Sequence, residues 1–178
     1  MNEKLTRTIA SLGLFIGGIF GVAGSLVSAA SFRGLAWGFD GVSLILASAL
    51  LTIYYFRKGY DTIAAGFLLF IVGEALVMSC NATDLNENVS TFGAGTSLWA
   101  ASLVTISFQN LFPIFIRLTG FIAAVFFCIV SVQIFTGCPV NALTKPLPFY
   151  GYPFFAATIF GWGWILLRRY SPGGNNLT

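Results

Sequence analysis

Long apolar segments dominate the sequence, and polar residues interrupt them only briefly. Apolar segments of about 18 residues are long enough to cross the ~30 Å hydrocarbon core of a bilayer. Hydropathy predicts six spans, near residues 8–30, 41–56, 62–80, 97–116, 118–136 and 151–167. We therefore expect an all-α integral membrane protein, in which residues 1–178 form a single bundle of six transmembrane helices.

The fourth and fifth predicted spans are the hardest to separate. Only the short sequence Arg117-Leu118-Thr119-Gly120 divides them, and Pro113 can end a helix just before it. A bundle of five spans, or a re-entrant segment at this point, is the alternative to six full crossings.

Composition supports the bilayer as the solvent and narrows the chemistry. Hydrophobic residues make up 57% of the chain and charged residues 8%, whereas soluble domains carry roughly 25% charged residues. The absence of histidine removes the commonest ligand for transition metals and haem, so we expect no metal and no cofactor. The net charge of +3 comes without a basic stripe, so nucleic acid is not an expected partner.

The positions of the basic residues predict the orientation of the chain, because cytoplasmic loops concentrate lysine and arginine. If the N-terminus is cytoplasmic, seven basic residues fall inside and two, Arg33 and Lys145, fall outside. The seven are Lys4, Arg7, Arg57, Lys58, Arg117, Arg168 and Arg169. We therefore expect both termini in the cytoplasm, and a multi-pass location in a bacterial inner membrane.

The first span carries small residues at every fourth position, namely Gly13, Gly17, Gly21 and Ser25. Such a face lets a second helix approach closely. It either packs against another helix of the same chain or docks a partner subunit. We expect this first helix to remain uncleaved, because its apolar segment is long for the core of a secretory signal.

Glu74 lies within the apolar sequence LLFIVGEALVMSC (residues 68–80) of the third span. A charged side chain at the centre of a transmembrane helix costs about 2.5–3.5 kcal/mol on insertion scales, so intramembrane carboxyl groups indicate functional sites. We expect a neutral, hydrogen-bonded side chain that is linked to protons or binds a solute.

Gln133 is the predicted partner of Glu74. An ungapped alignment of residues 63–76 with residues 122–135 superposes the two, as a duplicated hairpin would. Cys80 and Cys138 lie at the outer ends of the same two spans, so a disulfide between them would hold Glu74 and Gln133 face to face. The alternative is that the cysteines are unbonded core thiols.

Further polar residues occur inside or near the spans. Ser102, Ser131, Gln109 and Asn110 are candidates for lining a polar path with Glu74. The alternative is that they form hydrogen bonds between helices, each worth about 0.6 kcal/mol on average.

Two predicted outer loops differ in character. Residues 81–97 are polar and end in small residues typical of a flexible turn. The loop before the last span contains three prolines and clustered aromatic residues. We interpret it as a stiff segment at the membrane surface, with a lid over a cavity as the alternative.

Catalytic motifs do not occur in the sequence: it contains no G-x-S-x-G elbow and no phosphate loop, so we do not expect an enzyme. In length and span number the chain resembles the vitamin-binding S-components of energy-coupling transporters and the small acetate and succinate uptake family. Residues 10–14 (ASLGL) look like the tail of the signature of the second family, but Thr8-Ile9 replace its Asn-Pro. No site residue is carried over from either family.

Two functions fit these features. The first is a carrier or channel for a small solute, with Glu74 in its cavity. The second is a non-catalytic subunit or assembly factor that docks through its glycine-rich first helix. The first predicts a cavity that reaches Glu74, and the second predicts a closed core with an exposed small-residue groove.

Overall fold

The computed structural model describes residues 3–81 and 87–168, and these form an all-α bundle, as the sequence predicts. Its helices are α1 (Glu3–Leu26), α2 (Ala30–Arg57), α3 (Asp61–Asn81), α4 (Val89–Phe108), α5 (Ile114–Phe135) and α6 (Tyr152–Arg168). A single 3-10 turn, Phe149–Gly151, precedes α6.

Five of the helices, α1 to α5, are long and apolar enough to cross a membrane. The shortest of them, α4, has 20 residues, which corresponds to ~30 Å at ~1.5 Å per residue. The sixth helix has 17 residues and is correspondingly ~25 Å long. The chain is therefore a multi-pass membrane protein.

The helices form a closed ring in chain order. Each helix packs on the next one along the chain, and α1 closes the ring by packing on α6. Phe15 of α1 and Phe160 of α6 stack at this closure, with ring centroids 5.9 Å apart. Because successive helices run in opposite directions, the described basic residues of the predicted cytoplasmic set lie at one end, here called the basic end. Arg169, the last of that set, lies outside the described residues.

The boundary between α4 and α5 differs from the prediction. Helix α4 ends at Phe108, and Pro113 is the residue immediately before α5. Arg117 therefore lies in the first turn of α5, where its Nε donates a hydrogen bond to the backbone oxygen of Ser107 at 2.7 Å. An arginine in this position satisfies a carbonyl that the end of a helix leaves unpaired.

The beginning of α4 was also predicted wrongly, because its small residues were interpreted as a turn. Gly93 and Gly95 are helical and serve close packing. A Cβ at Gly95 would lie 2.6 Å from Cγ2 of Val77, and one at Gly93 would lie 2.7 Å from Cγ2 of Ile134. Hydropathy alone cannot distinguish such contact glycines from turn glycines. Residues 82–86 of the predicted polar loop lie outside the described part.

The small-residue face of α1 lies against α2 of the same chain. A Cβ at Gly13 would be 3.0 Å from the Ala47 Cβ, and one at Gly17 would be 2.5 Å from Leu44 side-chain atoms. Ser25 turns its hydroxyl to the Gly21 backbone oxygen at 3.0 Å. Helix α2 therefore occupies the face that a docked partner would need.

Aromatic side chains fill the bundle from Phe155, in the first turn of α6, to Phe112 at its basic end. Phe67 packs on Trp162 and Tyr55, at centroid distances of 5.1 and 5.7 Å. Phe70 stacks on Phe155 at 5.7 Å. We call the following residues the aromatic layer: Tyr55, Phe67, Phe70, Phe112, Phe155 and Trp162.

The segment between α5 and α6, residues 136–151, covers the opposite end of the bundle and is called the cap. It leaves α5 through Gly137, whose φ of 96° suits a residue without a Cβ. Val140 and Ala142 insert into the core and are 6% and 3% exposed. The cap thus closes one end of the ring, here called the cap end.

Candidate functional site

A cavity beneath the cap contains Glu74 and gives the bundle its candidate site. The cavity has a volume of about 50 Å³, which is enough for several waters. Helices α1, α2, α3, α4 and α6 and the cap contribute its walls. Its lining residues include Gly21, Trp37, Asp40, Glu74, Trp99 and Tyr152.

Glu74 is almost completely buried, with 3% of its surface exposed. Its Oε2 atom has no hydrogen-bond partner. It lies one turn beyond Phe70 on α3, so the aromatic layer begins directly on its basic-end side. A buried carboxyl oxygen without a partner costs about 1–3 kcal/mol or more, which is unusual unless a ligand or water completes the site.

Trp99 of α4 is the second buried polar group of the cavity without a partner. It is 4% exposed, and its indole N–H makes no hydrogen bond. The indole lies near enough to Glu74 to interact with its carboxyl group, although not at hydrogen-bonding geometry. Gly73 makes room for it, since a Cβ there would lie 3.0 Å from Cδ1 of Trp99.

Asp40 of α2 provides a second carboxyl group, which the sequence analysis missed. It lines the same cavity and interacts electrostatically with Glu74. Its carboxyl group rests on α1, because a Cβ at Gly21 would lie 2.8 Å from Oδ2. The predicted span began at residue 41, whereas α2 begins eleven residues earlier, at Ala30. The signal that was available is an acid inside an otherwise apolar sequence, AWGFDGVSLIL (residues 36–46).

The described lining residues include two acids and no base. The guanidinium of Arg33 lies 5.7 Å from the ring centroid of Trp37, which is a lining residue. Arg33 itself does not line the cavity. An anion entering this space would meet two carboxyl groups with no compensating positive charge.

The cap is tied to the cavity by one hydrogen bond. The Tyr152 hydroxyl donates to the backbone oxygen of Ala142 at 2.9 Å, and both residues line the cavity. Within the cap, Asn141 and Thr144 bond to each other and to neighbouring backbone atoms. The predicted surface segment therefore also forms the roof of the site.

A wider cleft adjoins the cavity between the beginning of α2 and the end of α3. Its volume is about 420 Å³. Trp37, Met78 and Asn81 line both spaces. These three side chains therefore lie at the boundary between the cavity and the cleft.

The basic end carries a separate, polar cleft of about 170 Å³. Glu3 and Lys58 form an ion pair there, with Nζ 2.7 Å from Oε1. The Glu3 carboxylate raises the pKa of Lys58 through this hydrogen bond. Both side chains are about half exposed, so such a pair stabilises the bundle little. The aromatic layer lies between this cleft and Glu74.

Gln133 does not face Glu74, so the predicted pairing is wrong. In the described part of the chain, the backbone neighbours of α3 are α2 and α4, and α5 is not adjacent to it. Gln133 is half-buried near the cap end of α5 and does not line the cavity. The alignment of residues 63–76 with residues 122–135, from which we predicted the pair, therefore has no structural support.

The predicted Cys80–Cys138 disulfide is also wrong. Neither cysteine lies at disulfide distance from another cysteine in the described residues. Cys80 is buried, and its Sγ donates to the Val77 backbone oxygen at 3.0 Å, whereas Cys138 is exposed in the cap. Cys80 lies on α3 and Cys138 follows the end of α5, and α4 packs between these two helices in the ring.

The other predicted polar residues lie apart from the cavity. Ser131 shares a buried hydrogen bond with Thr96 at 2.9 Å, which joins α5 to α4. Ser102 is fully buried, and its hydroxyl has no partner. Gln109 and Asn110 lie in the turn after α4 at the basic end. The structure does not bring these residues together with Glu74.

Comparisons with known proteins add no relative: no family model, no curated protein and no solved structure matches this chain.

Proposed function

We propose that this protein is a carrier for a small solute, and that Glu74 is the group that the solute or a proton engages. The observation that carries this proposal is the cavity, which contains a buried carboxyl oxygen and a buried indole N–H, both without partners. Such groups are costly in a membrane protein, and their usual role is in a substrate or proton pathway.

The shape of the bundle favours a carrier over an open channel. The cavity approaches the cap-end surface through Trp37, Met78 and Asn81, while the aromatic layer fills the way to the basic end. A site that approaches one surface and is sealed from the other fits one state of an alternating-access cycle. A channel needs a continuous polar path instead.

An assembly factor that docks through α1 has less support. Gly13, Gly17 and Gly21 face α2, so a partner would have to displace a helix of this chain to reach them. The opposite side of α1 exposes apolar residues such as Leu12 and Ile19, and contact with lipid explains that exposure.

The experiment is uptake into proteoliposomes with a panel of radiolabelled solutes of different charge: methylammonium, acetate and glycerol. We expect one of them to enter faster than in protein-free liposomes, and Glu74→Gln to reduce that rate at least about tenfold, equivalent to ~1.4 kcal/mol. Asp61→Asn is the matched control, because Asp61 is an exposed acid on the same helix.

Two results would count against the proposal. If no solute of the panel enters faster than in protein-free liposomes, this protein does not carry small solutes of these kinds. If uptake is equally fast in Glu74→Gln and in the parent protein, Glu74 has no role in transport.

A further inference from the structure

We propose that the cavity binds a small ammonium-type cation, either ammonium or a short alkylammonium ion. This inference rests on the proposed function and deepens it, because it names the class of solute. It can also be tested as binding alone, without any transport.

Charge is the first argument. Glu74 and Asp40 approach the same space from neighbouring helices, and no described lining residue is basic. A buried carboxylate needs a compensating positive charge, because an unpaired charge inside a protein is strongly destabilising. A cation can supply that charge and also donate a hydrogen bond to Oε2 of Glu74, which has no partner in the protein.

The aromatic walls favour an ammonium ion over a metal ion. Trp37, Trp99, Tyr152 and Phe155 line the cavity, and the faces of such rings attract ammonium groups. Calcium takes six to eight oxygen ligands, and the described residues contain no group of three or more acidic or cysteine side chains that could hold a metal. Two carboxyl groups among aromatic rings fit an ion with N–H donors.

Size limits the length of the ion. The cavity, with a volume of about 50 Å³, admits a few non-hydrogen atoms. Ammonium and methylammonium fit this space, whereas tetraethylammonium does not. The adjoining cleft is wider but has a single aromatic residue, Trp37, in its lining.

A proton and the cation should compete for the carboxyl groups. The titratable groups that line the cavity are Asp40 from α2, Glu74 from α3 and Tyr152 from α6, with Cys80 nearby on α3. No described lining residue on α1 or α4 titrates. If one proton leaves as one cation binds, affinity should fall up to about tenfold for each unit of decreasing pH over the range in which the carboxyl group is protonated.

The test is titration of the detergent-purified full-length protein with methylammonium chloride, followed by tryptophan fluorescence and calorimetry. Sodium chloride, sodium acetate and tetraethylammonium chloride are the comparison salts. We expect saturable binding of methylammonium alone among the four salts. Glu74→Gln and Asp40→Asn should each weaken it at least tenfold, while Asp61→Asn should leave it unchanged. Asp40→Asn provides a second variant if Glu74→Gln does not fold.

Equal methylammonium affinity in both carboxyl variants and the parent protein would overturn the inference, as would a parent protein that does not bind methylammonium. These failures are distinguishable from failure of the proposed function. Glu74-dependent uptake of acetate or glycerol without methylammonium binding would refute the cation site but support the carrier function. Methylammonium binding without uptake of any solute would support the cation site and refute the carrier function.

Discussion

The carboxyl group of Asp40 rests on the backbone of Gly21: a Cβ added at Gly21 would lie 2.8 Å from Oδ2 and 3.1 Å from Cγ. The contact explains why a glycine occupies this position on α1. It also connects the small-residue pattern of α1 to the candidate site, since the same glycine that lets α2 approach leaves room for the carboxyl group.

Gly21→Ala should therefore disturb the site more than the fold. The added methyl group pushes the Asp40 carboxyl group away from its position, and we expect methylammonium affinity to fall about tenfold, or ~1.4 kcal/mol. Gly38→Ala is the control, because a Cβ at Gly38 meets nothing within 4 Å. Equal affinity in the two variants would show that the position of Asp40 does not matter for binding.

The fold class and the presence of a buried acid, Glu74, inside the bundle could be predicted from the sequence for a physical reason. Membrane spans need long apolar segments, and a lone acid within one is conspicuous. Asp40 was missed because Arg33 and several glycines lower the hydropathy of the first third of α2. Hydropathy averaged over a window does not show that the first third of α2 and the apolar remainder form one continuous helix.

The partner of Glu74 could not be predicted, because depth along a helix does not determine which helices are neighbours. The sequence predicts similar heights for Glu74 and Gln133, but α4 packs between their helices, and Gln133 lies nearer the end of its helix than Glu74 does. Trp99, which does lie beside Glu74, has no sequence signal of its own. A tryptophan in an apolar helix is ordinary, and only the packing reveals its indole N–H without a partner.

Phe70 should act as part of the seal between the cavity and the basic end. It is fully buried, one turn from Glu74, and packs on Phe155 and Trp162. Phe70→Ala removes the part of the aromatic layer nearest the cavity, so we expect a passive methylammonium leak several-fold above that of the parent protein. The measurement is efflux from preloaded proteoliposomes.

Phe126→Ala is the matched control for the seal. Phe126 also packs on a phenylalanine of α6, Phe154, with ring centroids 5.7 Å apart, but it lies outside the aromatic layer. Either substitution destabilises the bundle through lost packing, by about 3–5 kcal/mol where the ring is fully buried. A leak of the same size in both variants would mean that it reports general loosening and not an opened path.

The Thr96–Ser131 hydrogen bond should stabilise the contact between α4 and α5. Both hydroxyls are buried, and they lie 2.9 Å apart. We expect a coupling energy of about 0.6 kcal/mol from a double-mutant cycle with Thr96→Val and Ser131→Ala, as for other hydrogen bonds between transmembrane helices. Unfolding in mixed micelles with increasing denaturing detergent gives the free energies. Strictly additive effects of the two substitutions would argue against the bond.

Cys138 should report both the absence of the disulfide and the orientation of the chain. It is exposed in the cap, whereas Cys80 is buried. In intact bacterial cells that express the protein, a membrane-impermeant maleimide should label Cys138 without prior reduction, because the positive-inside pattern places the cap outside. Cys138→Ser should abolish this labelling, and Cys80→Ser should leave it unchanged. If labelling requires a reducing agent, Cys138 is disulfide-bonded in the cell. Labelling that appears only after the cells are permeabilised would reverse the orientation and place the cavity's nearer surface in the cytoplasm.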